Sequence, residues 1–445
     1  MSASFQPCDS LLSWGRVARA RHCVASPRFR DELPHLTVEA GRCDGKGLAV
    51  GLGRSYGDSG LNADGAVIAM RSLDRVHGFD RQQGVLRADA GLSLDALIQI
   101  VTPHGFFPAV VPGTRFVTLG GAVANDVHGK NHVHAGAFGR HVRRLLLRRT
   151  DGSHAELGPD DPSGLFAATL GGLGLTGVIE WVELALKPIA SAFVDAEDIP
   201  FDSLDEFFAL STESDKTYEH TVAWVDCTGA GRSLGRGVFS RGNIAPDGGY
   251  RVHSTSSRLS VPFEFPPYAL NGLTVKAFNA FYFHANRARA GKRRVHYAPF
   301  FFPLDAINNW NRLYGRSGMY QYQCVIPPAN GAPAMRELLN RIARSGQGSF
   351  LAVLKTFGPL ASPGLLSFPR EGVTLALDFP NRGESTLALL SALDEVVRAA
   401  GGRLYPAKDG RVSASMFAAG YPNLTQFCER LDPGISSSFW RRVRP

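Results

Sequence analysis

No apolar run in this sequence reaches the roughly 18 residues that a membrane-crossing helix needs. Its opening stretch, MSASFQPCDSLLSWGRVARARH, also lacks the central apolar block of a secretory leader. Cysteine is sparse: Cys8, Cys23, Cys43, Cys227, Cys324 and Cys428 form no Cys-x-x-Cys pair and have no His at ligand spacing. Neither a zinc centre nor a disulfide framework is therefore expected. The expectation is a soluble cytoplasmic protein with reduced thiols, and peripheral contact at the inner membrane stays open. Internal repeats and low-complexity tracts are missing too, and the basic residues are dispersed. That counts against a nucleic-acid-binding or general anion-binding protein.

What is present is bulk, charge and glycine. The 445 residues are 44% hydrophobic, enough for two or three domains at roughly 100 to 200 residues each. Lys and Arg outnumber Asp and Glu by 48 to 40, and the net charge of +8 favours anionic partners such as phosphates or acidic headgroups.

Up to about residue 190 the chain alternates short β-like runs (GLAVGLG, GAVIAM, GVLRADAG) with glycine-rich turns. After Gly91, Ser93 is placed to cap a helix whose apolar positions Leu94, Leu97, Ile98 and Val101 follow helical spacing, with Gly105 as its stop. From about Ser191 the runs lengthen and become aromatic (TVAWVDC, MYQYQCVIP, SFLAVLKTFGP, VTLALDFP). Helical stretches at Ala334 to Ser345 and Ser385 to Ala400 separate them. This is an α+β pattern with an antiparallel sheet carrying helices on one face. Near Gly401 the short, glycine-flanked style returns. The expected division is residues 1–190, a second domain at 191–402, and a segment at 403–445 that folds back onto the first.

Three glycine clusters stand out: GLGRSYGDSGLN (Gly51 to Asn62), GGAVANDVHGKNH (Gly120 to His132) and GGLGLTG (Gly171 to Gly177). The last contains Gly-x-Gly-x-x-Gly at Gly172, Gly174 and Gly177, but a dinucleotide site of that type needs a helix to begin there. VIEWVELAL follows instead, β-branched and alternating, hence a strand. The remaining reading is one cofactor cradled by several loops, each offering backbone N–H groups to phosphate. Ordinary tight turns would explain any single cluster but explain three in one domain less well.

The combination GLGRSYGDSGLN, VPGTRFVTLGGAVANDVHGKNH, GGLGLTG and LYPAKDGR resembles the FAD-linked oxidoreductases of the vanillyl-alcohol oxidase type. Within them it is most similar to the subgroup that oxidises polyprenyl-phosphoryl ribose. The resemblance covers nearly the whole chain, weakening at both ends and between about residues 245 and 300. It implies a split FAD domain, with a substrate domain from residue 191 to 402 covering the flavin ring. Gly53, Arg54, Ser55, Gly57 and Asp58 match the pyrophosphate loop. Gly113, Thr114, Thr118, Gly120, Gly121 and Asn125 match the second FAD segment, which His128 and Gly129 continue. Ile179 matches a position near the adenine, and Tyr405 one beside the ring. Tyr56 stands where many relatives attach FAD covalently through His, so noncovalent FAD is expected. A metal site at His128, His132 and His134 is the rival reading of that loop.

Flavin oxidation of a secondary alcohol needs hydride transfer, removal of the hydroxyl proton and a cation near the reduced ring. By resemblance Lys408 is that cation, and His128, Lys130 and Tyr56 are candidates at the reacting centre, with the proton acceptor among them left open. Trp224, Gln321, Gln323, Lys355 and Phe357 match substrate-pocket positions. Thr374 and Ala376 depart from the mycobacterial members, which carry Asn and Cys there. The implied reaction is oxidation of the ribose 2-hydroxyl to the 2-keto sugar, the first half of epimerisation to the arabinose donor, completed by a separate NAD(P)H-dependent reductase. A soluble polyol, sugar or aldonolactone is the alternative substrate.

One further segment bears on that choice. FEFPPYALNGLTVKAFNAFYF (Phe263 to Phe283) is apolar, and Arg287, Arg289, Lys292, Arg293 and Arg294 follow it. This is either an interfacial contact for a lipid-linked substrate or a core element followed by a solvated charged loop.

Overall fold

Gly47–Val50 and Ala66–Ala69 pair in parallel and His22–Ala25 joins the same sheet, with Gln6–Cys8 antiparallel at its edge. Strands buried on both faces read as unbroken apolar runs, which is why GLAV and AVIA show no alternation. The computed structural model describes residues 3–254, 259–266 and 269–445.

A second sheet is antiparallel, in the order Val76–Asp80, Val85–Asp89, Val178–Pro188, Val142–Arg148, His154–Leu157. Phe106–Pro108 pairs the far end of its central strand. The Gly172, Gly174, Gly177 string turns directly into that 11-residue strand, so no helix N-terminus forms there. Between Val85–Asp89 and Phe106–Pro108 in the chain, the helix Leu94–Val101 buries Leu94, Leu97, Ile98 and Val101. The Ser93 hydroxyl accepts from the Ala96 N–H, and Gly105 at φ +79° closes the turn that follows.

The third sheet has eight antiparallel strands. Their order is Gly291–His296, Phe193–Phe201, Gly237–Ile244, His220–Val225, Ala352–Phe357, Gly372–Pro380, Met319–Ile326, Arg403–Leu404. Period-two alternation divides its side chains. Tyr322, Cys324, Leu354, Leu375 and Leu377 face the helices Pro328–Ser345 and Glu384–Ala399 and join the largest apolar core. The intervening residues Gln321, Gln323, Val353, Lys355, Thr374 and Ala376 face a cavity on the other side. The first of these helices begins at Pro328, earlier than its pattern suggests. Pro328 suits a first turn, and Pro333 inside the helix interrupts the helical signature.

The last forty residues leave the third sheet at Leu404 and dock on the first. The Gly47 N–H donates to Gly434 O, the Ser436 N–H to Gly47 O, and the Ser438 N–H to Leu61 O. The Thr150 N–H donates to Asp432, while Arg149 reaches the carbonyls of Arg430 and Leu431. The largest core runs without a break from Leu48 and Val67 through Phe207 and Leu338 to Phe439 and Trp440.

The apolar segment Phe263 to Phe283 and its basic sequel differ from either expectation. Gly272–Ala288 is a helix that buries only Val275, Asn279 and Phe283, while Leu273 and Phe281 are 81% and 73% exposed. Pro267 and Tyr268 of that segment lie outside the described residues. The run KRR is an edge strand rather than a loop, and its arginines are paired. Arg293 bonds Asp198, Arg294 bonds Asp195 and Asp247, and Arg287 of the helix bonds Asp202. A free basic cluster is therefore not present at Arg287, Arg293 and Arg294. Among the described residues, no helix is long and apolar enough to cross a membrane.

Candidate active site

A cavity of about 740 Å³ lies between the glycine loops and the open face of the eight-stranded sheet. Its inner wall is backbone. The N–H groups of Leu52, Gly53, Arg54 and Ser55 make no hydrogen bond to another described residue, and Gly53 sits at φ +63°, in the left-handed region that glycine enters without strain. A Cβ on Gly51 would collide with the Thr118 hydroxyl, so glycine there lets the first loop close on the second. Two buried hydroxyls in the lining, Ser13 Oγ and Ser59 Oγ, have no partner among the described residues. Unpaired buried donors beside unpaired backbone N–H groups suit an anionic group such as a pyrophosphate.

The second loop is held by its own side chains. Thr118 Oγ1 accepts from the Gly121 N–H at 3.1 Å, and Asn125 Nδ2 donates to Gly121 O at 2.8 Å. Thr114 donates to Asp305 at 2.7 Å and the Arg115 N–H to the same carboxylate at 2.8 Å, which ties this loop to the segment covering the cavity. Gly113, Gly120, Gly129 and Ile179 also line the space. The Arg54 guanidinium stacks 4.2 Å from the Trp14 ring.

At the sheet end four elements converge. Lys408 Nζ lies 4.1 Å from the centroid of the Tyr56 ring. The Tyr56 N–H donates to Ala407 O, joining the first loop to the LYPAKD turn. Tyr405 stacks on Phe368 at 4.5 Å, and its hydroxyl donates to Asn125 O at 3.0 Å. His128 Nε2 is 2.9 Å from the Gln323 amide nitrogen and its Nδ1 is 3.2 Å from Lys355 Nζ. These two contacts set the His128 ring between the Gln323 amide and the Lys355 amine, whose Nζ also reaches Gly129 O at 3.4 Å. Burial and the charge of Lys355 hold His128 well below its ordinary value, and burial, Lys130 and Lys408 lower Lys355 to about 7. Burial depresses Lys408 as well, and the Asp378 carboxylate opposes this. Asp378, fully buried, accepts from Gln321 Nε2 at 2.5 Å and is raised by burial.

Several expected residues are elsewhere. Gly57 and Asp58 do not line the cavity. A Cβ on Gly57 would overlap Asp409 O, so this glycine serves close packing of the first loop on the C-terminal segment. Asp58 is spent on Arg442, bonded through both oxygens at 2.7 and 3.1 Å. Phe357 stands behind the wall, its ring 4.8 Å from His128 and 4.4 Å from His132. The three histidines do not converge: His134 faces Tyr218 O, and both His132 ring nitrogens are unpartnered. No cluster of metal-ligating side chains forms among the described residues. Lys130 lines the cavity away from Lys408, bonded to Phe300 O. Thr374 accepts from Gln323 at 3.3 Å, and Ala376 lines the cavity as a small apolar residue.

Sequence reasoning missed Trp14, Asp305, Asp378 and the Asp198–Ser240 pair, and it set Arg293 in a surface cluster rather than in the cavity lining. Only Asp378 carries a local signal, a carboxylate in the middle of the buried run VTLALDFP. The others come from segments distant in sequence.

A family model for an FAD binding domain matches residues 22–158. Decaprenylphosphoryl-β-D-ribose oxidase of Mycolicibacterium smegmatis is 36% identical over 433 residues, covering 94% of this chain and 92% of that protein. An uncharacterised protein of Streptomyces coelicolor is 34% identical over 370 residues, 79% of this chain and 100% of its own. L-gulonolactone oxidase of Mus musculus is 30% identical over 162 residues, 36% of each chain.

Proposed function

The chain belongs to the decaprenylphosphoryl-β-D-ribose oxidase family, and from that premise we infer that it is an FAD-dependent oxidoreductase acting on CH–OH groups. It oxidises the 2-hydroxyl of a polyprenyl-phosphoryl-β-D-ribose to the 2-keto sugar. The observation that carries this is similarity over 94% of the chain to a relative of that name, joined to the cavity in which Lys408, Tyr56, His128 and Lys355 meet.

Bound FAD supplies the hydride acceptor. Leu52–Ser55, with Ser13 and Ser59, would hold its pyrophosphate, and Gly113 to Asn125, Ile179 and Tyr405 its remaining length. Tyr56 carries a phenol where covalent relatives use an imidazole, so the attachment is noncovalent. Lys408 gives the ring end a positive charge in a site shielded from water, where such a charge acts most strongly. His128, oriented by Gln323, and Lys355 form a pair able to take and pass on the hydroxyl proton. Trp224 supplies an apolar wall, its indole N–H donating to Phe350 O at 3.0 Å.

The product is the 2-keto intermediate of the arabinose donor, and a separate NAD(P)H-dependent reductase completes epimerisation. The domain that binds FAD comprises residues 1–190 and 403–445, and the substrate domain residues 191–402. Contact with a membrane surface would use the exposed Leu273 and Phe281 rather than the paired arginines, which weakens the electrostatic part of such a contact.

Incubating the purified protein with farnesylphosphoryl ribose and with soluble pentitols, side by side, tests the reading. A product two hydrogens lighter, formed from the phosphoryl ribose alone, supports it. Oxidation of the pentitols alone transfers the reading to a soluble polyol.

A further inference from the structure

The cavity has a second polar end, away from Lys408. Three strands supply it: Asp198 stands opposite Ser240 in the register, and Ser240 opposite Val222. Ser240 Oγ donates to Asp198 Oδ1 at 2.5 Å, and Arg293, from the edge strand, bonds Asp198 Oδ2. From the opposite wall comes Lys130. Its backbone carbonyl accepts from the Thr221 N–H, its Nζ donates to Phe300 O, and the same Nζ lies 4.5 Å from the Phe300 ring centroid. All four side chains line the cavity, together with Tyr282 and Asn286 of the covering helix.

The charge here does not balance. Asp198 neutralises Arg293, while Lys130 has no carboxylate within ion-pair distance among the described residues. Burial lowers Lys130 to about 8 even with Asp198 opposing that fall. A cation enclosed in this way without a counter-ion is stabilised by a ligand that brings one. Between this end and the Lys355–His128 pair, the sheet face is apolar: Val222, Trp224, Val238 and Val353.

We propose that Lys130 and Arg293, with Asp198 holding the Arg293 guanidinium in place, form an anion subsite that takes the phosphodiester of the substrate and so sets which hydroxyl meets the flavin. This rests on the reading above. In a ribosyl phosphodiester the phosphate is attached to the carbon next to the one oxidised, so an anchored anion fixes the position of the reacting C–H. Lys130 is then a binding residue rather than the proton acceptor. A soluble neutral polyol has nothing to place there.

The test compares farnesylphosphoryl ribose with uncharged methyl β-D-ribofuranoside in FAD-loaded protein, and measures methyl phosphate binding by calorimetry. Arg293→Met and Lys130→Met should raise KM for the phosphorylated compound about tenfold to a hundredfold more than for the uncharged one, the loss of one charge-assisted hydrogen bond. Both should weaken methyl phosphate binding. Equal KM changes for the two sugars, or methyl phosphate binding unchanged in both variants, would overturn the proposal. Should the wild type oxidise neither sugar, the functional reading fails, and the calorimetry decides the subsite independently.

Discussion

The basic residues of the covering segment and those inside the cavity are treated in opposite ways. Outside, Arg287 and Arg294 each bond an aspartate. Inside, among the described residues, Lys130 bonds a carbonyl, Lys355 a carbonyl and an imidazole, and Lys408 lies against an aromatic ring. Burying a cation without a paired anion is unfavourable, so a fold retains it where a ligand completes it. The difference separates charge that holds strands together from charge kept for cofactor and substrate.

The sharpest way to break this contrast is Lys408→Met. Loss of one preorganised electrostatic group should slow flavin reduction about a hundredfold to a thousandfold while FAD stays bound, as read by anaerobic stopped flow. Gly57→Ala attacks the scaffold instead. Its new Cβ meets Asp409 O, a backbone atom that does not yield easily, so the substitution should cost about 3 kcal/mol in urea unfolding and weaken FAD retention.

Asp378→Asn probes Lys408, an interior lysine with a carboxylate nearby. Asp378 opposes the burial that lowers Lys408. Without its charge, Lys408 should lose its proton at lower pH, moving the alkaline limb of the turnover profile toward neutrality. An unmoved limb would mean that Lys408 is not the group titrating there.

Much of this contrast could not be read along the chain. The three glycine loops were legible because a backbone φ demand is local, as at Gly53. So was the Ser93-capped helix, whose cap and apolar spacing lie within ten residues. The pairing of Arg293 with Asp198 was not, because 95 residues separate the partners and only the strand register unites them. Gly57 and Asp58 show the opposite failure. They belong to a recognisable motif, yet their side of the loop faces Asp409 and Arg442 of the C-terminal segment.

Buried histidines give a smaller effect. Burial holds His132 at about 3 and His220 at about 4, against an ordinary 6.5. Between those values and 6.5 the unfolded chain binds protons that the folded chain excludes, so stability falls as pH drops through that window. Each ring contributes up to about 1.4 kcal/mol per pH unit. His132→Phe, with no ring nitrogen left unpartnered, should gain on the wild type by about that slope as pH falls from 6 to 4.5 in urea titrations. Smallest of all, Arg294→Gln removes an exposed pair and should leave turnover unchanged within error.

The central claim is that this interior oxidises carbon 2 of a phosphoryl ribose with bound flavin. The direct measurement is anaerobic flavin bleaching by farnesylphosphoryl ribose carrying deuterium at carbon 2. Full bleaching, slowed by the deuterium, is the expected result. Bleaching at an unchanged rate, or bleaching by soluble pentitols only, would contradict it.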